Sequence, residues 1–450
     1  MGKSKDSPLN YKRFSIYFSR YAYPVEYLKN KPVTKGLNIV VTIPSYNEPD
    51  LLKTLISIDK CYPTQHPVEI IVLINQPCNS DIRVSEQNEN SYTDAKQWIG
   101  KHSTSNKKYH VLWVNNIPEK HAGVGFARKI VMDEAIRRLF RAKMFNGIIV
   151  GLDADTESDP DYLCEIENYF HQYPKANGAN IYFEHPLLTN ENTEYSLGIA
   201  SYELHLRYLI HALRYAHFPY AFHTLGSSMA VRASTYVKQG GMNKRKAGED
   251  FYFLHKVIPL GNYGELNTTR VIPSNRISNR VPFGTGKAMM KWFESNQNYY
   301  GTYNPNIFEA LRTLFVGIDN MFTASDSMIE HYYDHQMQCF KSFIQKQEWS
   351  EKMRQFNIQA AAPENFRYKF FQWMNALQVL RFIHYSRDIM FNNVPIMEAY
   401  KWLKGKMSID NDSGNVIDAL QKLRSYDKEN PYFYVKSANG HIPSGRDSNP

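Results

Sequence analysis

Cysteine is scarce in this chain, and what there is does not pair: Cys61, Cys78, Cys164 and Cys339 are scattered through 450 residues with no C-x-x-C among them. That excludes a structural zinc site of the usual spacing and a disulfide framework, and it points to a reducing compartment. Long apolar runs are missing too. No stretch reaches the roughly 18 residues that a membrane-crossing helix needs, and the segment Met1 to Asp6 has none of the apolar core of a secretory signal. A soluble, cytoplasmic protein is the expectation. Lysine and arginine outnumber aspartate and glutamate by 53 to 44, a net charge of +9, yet the cations form no block of the kind that marks a nucleic-acid arm. Nucleic acid is therefore not an expected partner, whereas anionic small substrates or an acidic membrane surface suit this balance.

Several familiar motifs fail on inspection. His121 to Arg128 contains G-x-G (Gly123, Gly125) after an apolar run, but Arg128 occupies the place of the third glycine of a dinucleotide fingerprint. Phe283-Gly284-Thr285-Gly286-Lys287 looks like the end of a phosphate loop, but Val281 stands where its first glycine belongs and Ala288 where Ser or Thr should follow. There is no G-x-S-x-G, so an α/β-hydrolase nucleophile is absent. His205, His211, His217 and His223 recur every six residues, which turns successive ones roughly 240° around a helix and keeps them from forming one metal cluster.

What is present is an alternation of short apolar runs and helical patterns. Leu37 to Ile43 reads as a strand buried on both faces and ended by Pro44, Glu48 to Lys60 as a helix, and Val68 to Ile74 as the next strand. Asn75 to Lys108 reads as a long loop with a helix near Thr93 to Gly100. Val111 to Val114 is a third strand, Gly125 to Arg141 a helix, and Gly147 to Leu152 a fourth strand. Strand, helix and strand in succession make crossover units of a doubly wound α/β sheet. Tyr195 to Tyr215 reads as a core-packing helix, with an aromatic binding stripe as the alternative, Ile307 to Phe322 follows helical spacing, and Pro363 starts a helix over Glu364 to Tyr385. The expected organisation is an N-terminal arm over 1–36, an α/β domain over 37–288, a helical region over 289–436 and a disordered tail over 437–450.

The fourth strand delivers Gly151-Leu152-Asp153-Ala154-Asp155-Thr156. Carboxylates two residues apart at a strand exit can both turn to the mouth of the sheet and offer hard oxygens to Mg²⁺ or Mn²⁺, with phosphate oxygens as the remaining ligands. The structural alternative is that both cap the following turn. An EF-hand does not fit, because Ser158 stands where its glycine belongs and Cys164 where its bidentate glutamate belongs.

Four features in order resemble the inverting glycosyltransferases of family 2, whose nucleotide-binding fold is called GT-A: Ile43-Pro44-Ser45-Tyr46-Asn47-Glu48, the Gly123 to Arg128 segment, the Asp153/Asp155 pair, and Gly248-Glu249-Asp250. The resemblance covers about residues 37 to 290. It implies a nucleotide-diphospho-sugar transferase fold, a Rossmann-like mixed sheet flanked by helices, here with a helical C-terminal extension. It also implies transfer of a sugar from a nucleotide-diphosphate donor, a UDP- or GDP-sugar, to a hydroxyl acceptor that can be lipid-linked; separately, the basic charge and the many aromatics suit peripheral contact at the inner membrane face. Tyr46 would stack on the base, with Pro44 shaping the turn and Glu48 near the nucleoside. Asn75 stands where many relatives carry an aspartate that reads the base. Arg128 would contact the nucleotide, with a salt-bridged surface arginine as its alternative, while Asp153 would face the ribose and Asp155 would hold the metal. Asp250 would be the general base and Glu249 its neighbour at the acceptor. Arg276 and Arg280, four residues apart, could clamp the diphosphate, and their alternative is surface ion pairing. His255 is a further candidate ligand one turn beyond the base. The competing functions are a catalytically silent glycan- or nucleotide-binding protein and a sugar-phosphate nucleotidyltransferase, whose N-terminal glycine-rich loop is missing.

Overall fold

The computed structural model describes residues 8–187, 194–278, 284–294, 299–407, 409 and 414–436. The chain forms two compact units, one from residues 1–186, 224–275 and 428–433, the other from 187–223, 276–427 and 434–450. Arg280 and the tail 437–450 lie outside the described residues.

The first unit opens with α1 (Pro8–Arg20), whose Phe14 and Tyr17 are 1% exposed. It continues through β1 (Ile39–Ser45), α2 (Leu51–Asp59), β2 (Val68–Pro77), α3 (Ile82–His102), β3 (Lys107–Ile117), α4 (Val124–Arg141), β4 (Ile148–Gly151), β5 (Thr156–Ser158), α5 (Tyr162–Gln172) and β6 (Gly178–Phe183). The helix α6 (Glu194–Tyr215) belongs to the second unit, and the chain then resumes the first with β7 (Met229–Arg232), α7 (Ala233–Lys238), α8 (Glu249–Val257) and β8 (Tyr263–Pro273). The strands run in the order β3, β2, β1, β4, β7, β6, β8, with β5 on β8. Pairs β3/β2, β2/β1, β1/β4 and β6/β8 are parallel, while β7 is antiparallel to both β4 and β6. This is a mixed α/β sheet flanked by helices. Every residue of β1 is buried, as are the first eight of β2, so both are dominated by apolar residues; the charged exception within β2, Glu69, is held by Arg138, whose Nε donates to it at 2.7 Å.

Two local expectations change. Pro44 does not end β1 but lies within it, opposite Leu73 of β2. It is tolerated there because β4 pairs with β1 only as far as Thr42, so the missing N–H falls past the doubly flanked part of the strand. The stretch expected as a long loop with a helix near Thr93 to Gly100 continues β2 to Pro77 and then forms the 21-residue α3, which contains that helix and extends it back to Ile82; its N-cap Asp81 accepts from Arg83 N–H at 2.9 Å. That helix buries Asn88, Ser91 and Ala95 at helical spacing, so its inward stripe carries no large apolar side chain for a hydrophobic period to reveal.

The second unit is helical: α6 is joined by α9 (Thr285–Glu294), α10 (Pro305–Val316), α11 (Asp326–Asp334), α12 (Gln338–Phe343), α13 (Lys346–Gln359), α14 (Pro363–Trp373), α15 (Ala376–Ile389), α16 (Ile396–Met407) and α17 (Val416–Glu429). The single helix expected over 364–385 is two, because Asn375 caps the second by accepting from Leu377 and Gln378 N–H at 3.1 Å each. Ser201, Leu204, Tyr208 and His211 of α6 are buried, and His211 Nε2 donates to Asp427 at 2.6 Å. Among the described residues no helix is long and apolar enough to cross a membrane.

Candidate active site

The exit of β1 is held by the polar face of α3. Asn47 takes a left-handed φ of 50°, a conformation asparagine tolerates, and its N–H donates to Asn88 Oδ1 at 2.8 Å. Asn88 Nδ2 in turn donates to Gln76 Oε1 at 3.1 Å, and Ser91 Oγ donates to the Glu48 carbonyl at 2.9 Å. The buried Glu48 carboxylate accepts from Asp50 N–H at 2.8 Å and so braces the entry to α2. Tyr46 is half-buried on this turn, and Asn75 is buried on the neighbouring strand just before the register shift of β2 against β3.

The exit of β4 is pinned at each step. Leu152 N–H donates to the Thr42 carbonyl at 3.1 Å, Thr156 N–H to the Asp153 carbonyl at 3.1 Å, and Ser274 N–H to the Asp155 carbonyl at 3.1 Å. Thr54 Oγ1 donates to the Ala154 carbonyl at 2.9 Å. The turn is therefore rigid, and it leaves Asp153 and Asp155 half-exposed.

Arg128, in the first turns of α4, is 2% exposed and reaches three groups far apart in sequence. Its Nη2 donates to Asp153 Oδ1 at 2.8 Å, its Nε to Glu249 Oε1 at 3.0 Å and its Nη1 to the Gly226 carbonyl at 3.0 Å. Burial pushes its pKa down, but the carboxylates of Asp153, Glu249 and Asp250 more than reverse this, so the guanidinium stays charged. Arg128 thus ties the acidic pair after β4 to the acidic pair that opens α8, the ion-paired arrangement that is the alternative to a nucleotide contact.

Glycines make that junction possible. A Cβ on Gly125 would run into the Arg245 carbonyl and lie 2.8 Å from Glu249 Cβ, and one on Gly123 would lie 2.7 Å from Lys246 Cα. The G-x-G thus serves close packing of segment 245–249 on the start of α4. A Cβ on Gly226 would strike the Arg128 guanidinium. Gly248, at φ 71°, turns the chain into α8 through the left-handed region that favours glycine.

Glu249 is 2% exposed, and its carbonyl accepts from Asn243 Nδ2 at 3.0 Å. Asp250, beside it in the first turn of α8, is half-buried. Its Oδ2 accepts from Gly226 N–H at 2.9 Å and its Oδ1 from Phe251 N–H at 2.8 Å. Burial pushes the Asp250 carboxyl up and the Glu249 carboxylate adds to it, while Arg128 and the Phe251 N–H pull back; it ends at about 6 against an ordinary 3.8. A carboxyl so tuned can take a proton near neutral pH. His255 stacks on Phe251 with ring centroids 5.9 Å apart, and its buried Nδ1 has no hydrogen-bond partner among the described residues. Arg276 belongs to the second unit, where burial raises the Tyr195 hydroxyl and the Ile277 backbone and then the Arg276 charge offset part of that rise.

Among the described residues no three His, Cys, Asp or Glu side chains converge on one point, so an all-protein metal cage is not built. Asp153 and Asp155 form the smaller set of one or two carboxylates with which Mg²⁺ or Mn²⁺ is held alongside substrate phosphates. That donor set fits the ion. Sequence reasoning missed Gly226 and the α3 residues Asn88 and Ser91. The turn-rich run Leu225-Gly226-Ser227-Ser228 before β7 was the available signal for Gly226.

No family model matches the chain, and no curated protein matches it. Solved structures do. Two crystal structures of a fragment of S. aureus TarS, residues 1–349, one with UDP-GlcNAc and one with UDP, cover 75% of this chain each and 92% and 91% of their own length. They are 12% and 13% identical to it, with TM-scores of 0.33 and 0.34. The structure of S. aureus TarS itself covers 78% of this chain, which spans 55% of that one, at 12% identity and a TM-score of 0.30. Overlaps this loose decide neither ligand nor chemistry for this chain.

Proposed function

We propose that the chain is an inverting, metal-dependent glycosyltransferase of the family 2 kind, moving a sugar from a nucleotide-diphosphate donor to a hydroxyl acceptor. The observation that carries the reading is the reach of Arg128 to both acidic pairs, which assembles Asp153, Glu249 and Asp250 around one buried cation.

In this reading Asp250 takes the proton of the acceptor hydroxyl as its oxygen bonds to the anomeric carbon, while the bond from that carbon to the diphosphate breaks on the opposite face. The two backbone N–H groups on Asp250 fix its orientation and leave each oxygen a second lone pair for that proton. Tyr46 stacks on the base, with Pro44, Glu48 and Asn75 around the nucleoside. Because Asn75 both donates and accepts, it selects a base edge without charge. Asp153 faces the ribose and Asp155 holds Mn²⁺ or Mg²⁺, which when bound neutralises the departing diphosphate. Arg128 acts through Asp153 and Glu249. Glu249 flanks the acceptor from behind Asp250.

The test is thermal stabilisation of the purified chain by UDP, GDP, CDP and dTDP, each with and without Mn²⁺, since a ligand bound only by the native state raises its melting temperature. A metal-dependent rise with one nucleotide, lost in Asp155→Ala, supports the reading and names the base. No rise with any of the four overturns it in favour of a silent binding protein.

A further inference from the structure

The first helix has two unlike faces. Inward, Phe14 lies against Phe140 and Phe145 with ring centroids 5.8 and 5.2 Å away, and the Tyr17 hydroxyl donates to Asp133 at 2.5 Å. These contacts fix the rotation of α1 on the first unit. Outward, Leu9, Lys12, Arg13, Ile16 and Arg20 fall within a stripe about 100° wide at 100° per residue. Leu9 is 52% and Ile16 40% exposed, and the three cations are exposed as well. Just beyond the helix, Tyr21 and Val25 are 51% and 44% exposed.

The charge on this face is of one sign. No acid occurs between Pro8 and Val25. No carboxylate pairs with Lys12, Arg13 or Arg20 among the described residues, and the first acid that follows, Glu26, is engaged by Arg141. The nearby Asp133 is buried and spent on Tyr17, Tyr236, Lys129 and the Tyr23 N–H. Lys29, Lys31 and Lys35 continue the excess on exposed positions. Cations serving no internal ion pair, interleaved with aliphatic side chains held out from a rigid helix, match a bilayer interface, where the aliphatics enter the headgroup boundary and the cations meet anionic lipid.

We propose that the outward face of α1 docks this protein on an anionic lipid surface. The assignment stands apart from the reaction: it needs only this face and its charge.

The experiment is cosedimentation of the full chain at physiological salt with vesicles of phosphatidylcholine containing phosphatidylserine, and with phosphatidylcholine alone. The unaltered chain is expected to pellet with the first and not with the second. Each surface cation contributes about fivefold, so the triple variant Lys12→Ser/Arg13→Ser/Arg20→Ser should bind roughly a hundredfold more weakly. A variant of equal charge change at the exposed Lys101, Lys175 and Lys401 should bind as the unaltered chain does, and Leu9→Ser/Ile16→Ser should bind more weakly with charge untouched. All these positions are exposed, so melting temperatures should hold, and the nucleotide-induced rise should be unaffected in each. Absence of binding to the anionic vesicles, equal losses in the two triple variants, or binding of a soluble polyanion such as heparin with the same variant pattern would each overturn the proposal. So would sedimentation showing that the α1 substitutions break a dimer while leaving vesicle binding intact.

Discussion

Arg128 Nε lies 3.0 Å from Glu249 Oε1, across 121 residues of sequence, and both side chains are 2% exposed. A buried ion pair of this kind is costly to break singly, because the surviving partner is left charged without water. Here the same guanidinium also serves Asp153, but that carboxylate is half-exposed, so removing the guanidinium strands chiefly the buried Glu249.

Arg128→Met should therefore destabilise the chain by about 3–5 kcal/mol, the range for uncompensated buried charges. Arg128→Lys should recover only part of this, since an ammonium lacks the planar fork that meets three acceptors. Urea unfolding midpoints measure both, and an unchanged midpoint for Arg128→Met would show that the junction adds nothing to stability.

Asp250→Asn should lower turnover by about 10²- to 10⁴-fold, the usual contribution of a general base, while leaving the nucleotide-dependent rise in melting temperature in place. Steady-state rates with the donor named by the nucleotide screen, set beside melting curves, separate the two effects. A variant retaining most of its turnover would remove Asp250 from the role of base.

The pH dependence follows from the same carboxyl. Pushed up to about 6, it is protonated below that value, so kcat/KM should fall about tenfold per unit on the acid side. The stability effect has a defined sign. The folded state holds this proton more tightly than the unfolded chain, so the contribution is full below about 3.8 and is lost as pH rises through about 6. Melting temperatures of the unaltered chain and Asp250→Asn should therefore diverge between those limits, and parallel curves would contradict the raised value.

Glycine substitutions should divide by location. Gly125→Ala places a methyl against the Arg245 carbonyl, which is backbone and cannot swing aside, so a loss of about 1–3 kcal/mol is expected. Gly100, inside α3, has nothing within 4 Å of a built Cβ, and Gly100→Ala should stabilise by about 0.5–1 kcal/mol. Thermal melts of the two variants suffice, and a shift of the same sign in both would count against the packing account of the G-x-G.

The strands that build the sheet were legible because burial on both faces leaves no room for polar alternation: Ile39 to Ile43, Val68 to Ile74 and Ile148 to Val150 announce themselves. Only the C-terminal part of helix α3, near Thr93 to Gly100, was legible; its first half was not, since the inward residues Asn88 and Ser91 are polar and serve the turn at Asn47 instead of an apolar core. The break between α14 and α15 escaped because Asn375 caps through its side chain, a signal that apolar spacing does not carry.

The order of the acidic pairs, the glycines around them and the turn after β1 can be read along the chain, because each is a local pattern set by backbone geometry and side-chain chemistry. Which of these patterns meet could be decided only by the tertiary structure. Packing brings Gly123 and Gly125 against segment 245–249 and turns Arg128 inward, so an arginine expected to face a ligand becomes the cation that joins Asp153 to Glu249. The raised carboxyl of Asp250 has the same origin: desolvation and a neighbouring charge are properties of the folded surroundings, and no sequence position carries them by itself.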